Sequence, residues 1–152
     1  RVDAVMKTRL PKKQKGAAAI EFALVFVIFL AVLYGVVSYS LPLLLVQSFN
    51  NATAEAVRRS MAVDPTAANY GSLVEALAKS VLNEKLTWVP TAVKGSLAPA
   101  ATYNPTTKVL TASVSLPATA LTSIMPVLKL GVITVPDLPA NLKAESSAQL
   151  VP

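Results

Sequence analysis

Glu21 stands five residues after Gly16 in the stretch KKQKGAAAIEF, behind Lys12, Lys13 and Lys15, and no further charge occurs until Glu55. A carboxylate in an apolar run is either an active-site acid or one half of an ion pair. In bilayer hydrocarbon a lone charge costs on the order of several kcal/mol, so such a residue marks a functional site unless it snorkels to the interface. The fixed Gly and the basic segment before it point to cleavage and assembly. A plain membrane anchor needs neither.

The element that must carry Glu21 is the run Ala17 to Val46, thirty residues with that one charge. A helix of about 20 apolar residues spans the hydrocarbon, so this run is long enough. Lys12, Lys13 and Lys15 precede it, and the fifteen residues after Val46 hold only Glu55, Arg58 and Arg59. The positive-inside bias then places the N-terminus in the cytoplasm and the C-terminal part outside. Pro42 predicts a kink. A cleaved signal peptide could use Ser38-Tyr39-Ser40 as a small-x-small site, but its apolar region should be far shorter.

Charge and composition exclude other classes. The chain has 152 residues, 53% of them hydrophobic, and a net charge of +6. Residues 1–16 hold six basic side chains against Asp3, a net of +5, which leaves +1 for everything after Gly16. The basicity is therefore a membrane flank and not a nucleic-acid surface, which would spread Lys and Arg over a folded face. With neither His nor Cys in the chain, disulfides, thiol nucleophiles, His-based triads and most zinc sites are excluded. The carboxylates Asp64, Glu75, Glu84, Asp137 and Glu145 are scattered without paired or metal-ligand spacing, so no enzyme and no cofactor are expected.

Beyond Val46 the helix is predicted to continue to about Ala62. Val46, Phe49, Thr53, Ala56, Val57 and Met61 recur at helical spacing, with Gln47, Asn50, Asn51, Glu55, Arg58 and Arg59 on the other faces. Such a helix approaches about 70 Å in length and is stopped by Asp64-Pro65.

The stretch Lys12 to Val25, KKQKGAAAIEFALV, resembles the start of a type IV prepilin. GAAAIEFALV, the apolar helix and Ala52-Thr53-Ala54-Glu55-Ala56-Val57-Arg58-Arg59 are similar, more narrowly, to the TadE-like minor pilins, or pseudopilins, of the tight adherence (Tad) system. Major Flp pilins have Tyr after the Glu and are shorter; here Phe22 and a long C-terminal part follow. The resemblance implies cleavage by a prepilin peptidase after Gly16, with Ala17 as the new N-terminus. Glu21 would neutralise that amine or a neighbouring subunit's, and Lys12, Lys13 and Lys15 would hold the leader at the cytoplasmic face. Implied partners are the peptidase, a major Flp-type pilin, other minor pilins, the Tad inner-membrane platform and the bilayer. The implied location is the bacterial inner membrane, single-pass, with possible incorporation into a surface pilus for adherence. The alternative is a single-pass anchor presenting an extracytoplasmic binding domain.

The expected organisation is a leader over 1–16, a transmembrane helix over 17–46, its amphipathic continuation over 47–63 and an extracytoplasmic α+β domain over 64–152. In that domain Ser72-Leu73-Val74-Glu75 reads as a capping box opening a helix to about residue 85, with a stripe through Leu73, Leu77 and Val81 beside Val74, Ala78 and Leu82. Tyr103 to Thr106 reads as a turn, and Leu110 to Leu116 alternates as a half-buried strand. Pro117 to Leu130 suits a short helix interrupted by Pro126 or an extended apolar loop. Val132–Val135 and Leu142–Leu150 read as strands. Trp88 and Tyr103 are expected as core or interface anchors, and the sequon Asn51-Ala52-Thr53 lies in a predicted helix. The fold class is α+β, a long helix packed on a small antiparallel sheet, which is also what a pilin-like resemblance implies.

Overall fold

A computed structural model describes residues 13–150. The expected leader lies outside the described residues as far as Lys12, and the Lys13 and Lys15 side chains lie outside them too. The chain divides into two compact units, one ending at Val37 and one beginning at Ser38.

Helix α1 runs over Lys13–Ser60, 48 residues, and passes through Pro42 without interruption. Its long aliphatic content, with few Gly and only one Pro, favours a continuous helix. It ends two residues short of Ala62, with Arg58 and Arg59 in the last turn, where cations suit the helix dipole. The Asp64 carboxylate then accepts hydrogen bonds from the Thr66 amide at 2.9 Å and hydroxyl at 2.7 Å, closing a turn that leads away from the helix.

The second unit is α+β. Helix α2 spans Tyr70–Lys85 and a short α3 spans Thr91–Lys94. Strands β1 (Ala98–Asn104), β2 (Val109–Pro117) and β5 (Asn141–Gln149) form an antiparallel sheet in the order β1-β2-β5. Between β2 and β5 come a 3₁₀ turn over Ala118–Ser123 and a hairpin of β3 (Leu128–Leu130) and β4 (Ile133–Val135). Central β2 pairs Leu110 with Ala148, Val114 with Ala144 and Leu116 with Leu142. Its alternating Leu110, Ala112, Val114 and Leu116 are fully buried, as the period of two requires.

Leu45, Phe49, Ala52, Ala56 and Val57 of α1 enter one core with Val74, Ala78, Val81 and Leu82 of α2 and the inner face of β2. The predicted stripe on α1 is thus present but rotated: Leu45 and Ala52 are buried, Val46 is half-buried and Met61 is exposed.

Three expectations change. The capping box is not formed: α2 begins at Tyr70 after Asn69, the Ser72 hydroxyl donates to the Asn69 carbonyl, and Glu75 accepts the Tyr103 amide at 2.7 Å. Glu75 is drawn to β1 because a strand amide needs a partner more than an exposed helix end does. Leu73 of the predicted stripe is exposed in consequence. The turn lies two residues later than read, over 105–108, with the Asn104 side-chain oxygen accepting the Thr106 and Thr107 amides and Lys108 at φ 56°. Pro117 to Leu130 is neither wholly helix nor loop, since the 3₁₀ turn stops at Ser123 and the chain is extended again after Pro126.

Candidate functional site

Gly16 is the fourth residue of α1, and a Cβ built on it would meet no heavy atom within 4 Å. Gly costs a helix about 0.5–1 kcal/mol relative to Ala. The Gly16–Ala17 bond therefore lies at a locally weakened point of α1.

Glu21 lies one turn further on. It is four residues from Ala17, hence on the same helix face, about 6 Å along the axis. Its side chain is exposed, and among the described residues it has no ion-pair or hydrogen-bond partner. Around it Ile20, Phe22, Leu24 and Val25 are 59–71% exposed, and Phe22 stacks on Phe26 at 5.8 Å between ring centroids. A helix apolar on every face has no polar side to turn to water. An 18-residue window within Gly16–Ser60 has a mean hydropathy of 2.7 and none of its residues buried. By length and composition α1 can cross a bilayer.

The other half of α1 meets the opposite situation, because there no buried polar side-chain atom among the described residues lacks a partner. The Thr53 hydroxyl, fully buried, lies 2.9 Å from the Ser146 hydroxyl of β5. Ser60 donates to the Ala56 carbonyl at 2.8 Å. Glu55 accepts from Arg58 Nε and Arg59 Nε, both at 2.8 Å, and Arg59 reaches Glu84 of α2 at 3.2 Å. The two guanidiniums hold the Glu55 carboxyl down at about 2. These bonds clamp the helix to α2 and the sheet. Among the described residues no three acidic side chains gather as a metal site.

Trp88 is 47% exposed and donates its indole N–H to Ser48 at 2.9 Å. With Gln47, Asn51 and Lys85 it lines an open groove of about 670 Å³, so it is a surface anchor and not a core residue. Tyr103 is half-buried, edge-on to Tyr70 at 5.5 Å. The sequon is unsuited to modification, because Thr53 is buried and hydrogen-bonded within a helix.

One feature was not legible as a site. Leu128, Val132 and Ile133 of the β3–β4 hairpin are exposed, Val132 completely. The signal available in the sequence was charge: between Val109 and Pro136 only Lys129 ionises.

A family model described as TadE-like protein matches residues 16–58. The match begins at Gly16 and ends one residue before Arg59, within the segment on which the resemblance rests. No curated protein and no solved structure matches the chain.

Proposed function

We propose that this chain, TadE-like over residues 16–58, is a minor pilin or pseudopilin associated with a Tad-type pilus. A prepilin peptidase cleaves after Gly16, and the new amine at Ala17 starts a helix that carries Glu21 one turn in. The carboxylate pairs with that amine or with a neighbouring subunit's, which removes the cost of holding either charge alone in an apolar setting. The chain then joins the filament, or primes it, beside a major Flp-type pilin and other minor pilins on the inner-membrane platform. Its role is structural and adhesive, not enzymatic, with the N-terminus cytoplasmic and residues 64–152 outside.

The observation that carries this reading is the match beginning at Gly16 together with an exposed apolar helix whose sole charge between Gly16 and Glu55 is Glu21. Production with a prepilin peptidase in a Tad-competent host tests it. Intact mass should show loss of residues 1–16, and isoelectric focusing should follow a net charge falling from +6 to +1. Glu21→Ala should still be cleaved yet disappear from the sheared filament fraction. Recovery of assembled protein that retains residues 1–16 would overturn the reading, and an unaffected Glu21→Ala variant would favour a plain anchor.

A further inference from the structure

The β3–β4 hairpin is a poor object to leave in water. It has three residues per strand, and an isolated two-stranded hairpin is at best marginally stable. Its tip turns at Gly131, φ 63°, where a left-handed residue is needed. Val132 beside it is 101% exposed, Ile133 59% and Leu128 42%.

The base of the hairpin, in contrast, is fixed. Pro136 is buried and Leu138 half-buried, and the Asp137 amide donates to the Tyr39 hydroxyl of α1 at 2.8 Å. Tyr39 is twenty-two residues after Ala17, which is about 33 Å of helix rise. That is close to the roughly 30 Å thickness of bilayer hydrocarbon. A helix entering the membrane at Ala17 therefore leaves it near Tyr39, and Tyr is a residue that favours this boundary. The hairpin is tied to the helix at the level of the outer headgroups.

We propose that the β3–β4 hairpin is a second membrane contact, bedding Val132 and Ile133 in the headgroup layer and upper acyl chains beside the emerging helix. The proposal rests on the reading of α1 as a membrane span. The tip is apolar, and Lys129 on β3 can extend its ammonium to lipid phosphates while its stem stays among apolar groups. Depth is limited by the backbone. Each three-residue strand has an unpaired edge whose amides and carbonyls must stay hydrated, so the hairpin cannot enter the hydrocarbon centre. The contact would orient the domain against the membrane before assembly, adding a second point of attachment to the single helix.

The chain has no Cys, so single labelling sites are clean. Full-length Val132→Cys carrying a nitroxide, reconstituted in phosphatidylcholine–phosphatidylglycerol vesicles, can be read by its collisions with oxygen, which partitions into lipid, and with a water-soluble nickel chelate. Val27→Cys reports the span and Thr106→Cys, in the β1–β2 turn, reports water; Ile133→Cys repeats the measurement should the first variant disturb the hairpin. The expected result is an oxygen-to-nickel ratio at position 132 several-fold above that at 106 and below that at 27. A ratio equal to that at 106, with 27 still lipid-like, overturns the inference and leaves the span intact. Low collision with both agents means a protein partner covers the tip, and this also overturns it. A water-like Val27 site overturns the span reading and the inference together.

Discussion

Two carboxylates on one helix, Glu21 and Glu55, meet opposite surroundings. Glu55, 15% exposed, accepts from two arginines within its own helix turn, and their hydrogen bonds bring its carboxyl from 4.5 to about 2. Its folded value is lower than its unfolded one, so the resulting stabilisation is fully present above pH 4.5 and is lost as pH falls from there through about 2. Arg58 is 74% exposed, which makes the contribution salt-sensitive. A carbon-13 NMR titration should place the Glu55 midpoint near 2, and replacing both Arg58 and Arg59 by Ala should return it toward 4.5; an unchanged midpoint would mean that the pairs do not persist in solution. Glu21 has no such arginines among the described residues. In the proposed function its cation is the amine at Ala17 or one from another subunit.

Helix α1 changes character along its length, and the two parts should answer mutation differently. Phe49 is fully buried among α2 and sheet residues, so Phe49→Ala should cost the domain about 3–5 kcal/mol by opening a cavity. Phe22 is 69% exposed in the first unit, and Phe22→Ala should leave the domain's denaturation midpoint unchanged. Urea titration followed by Trp88 fluorescence separates the two, and equal effects would contradict the division at Val37. The elements read correctly from sequence are those with a strong period. Leu110 to Leu116 and Leu142 to Leu150 alternate, and Ala17 to Val46 carries no charge but Glu21. Strand β1 escaped because Ala98-Pro99-Ala100-Ala101 has low strand propensity; it lies at a sheet edge, where Pro is tolerated, and buries only Ala101 fully. The capping box misled because a local pattern cannot reveal that Glu75 serves the Tyr103 amide 28 residues away. The Gly16–Glu21 spacing was legible as a candidate site since it is local in sequence. The exposed hairpin was not, because an apolar stretch reads alike whether buried or bare.

At the scale of the molecule, the core has a sharp boundary. Its first member along the chain is Leu45, and it closes with Leu150, so every fully buried apolar side chain lies in the unit beginning at Ser38. That unit is of ordinary domain size, with a sheet, two helices and the buried half of α1, and its interior contains no unpaired buried polar side-chain atom among the described residues. The segment from Ala17 to Val37 adds no residue to this core, and what it exposes is suited to lipid. A chain cut to begin at Ser38 should therefore fold in water without detergent and unfold cooperatively, with a Tm within a few degrees of the full-length protein in micelles. Circular dichroism melts of the two measure this. A truncated domain that binds a hydrophobic dye and melts without cooperativity would mean that the first unit helps to hold the second, and division of labour between membrane segment and external domain would have to be abandoned. A cooperative melt would instead mean that residues 17–37 can change their surroundings, as the proposed filament entry requires, without disturbing the domain they carry.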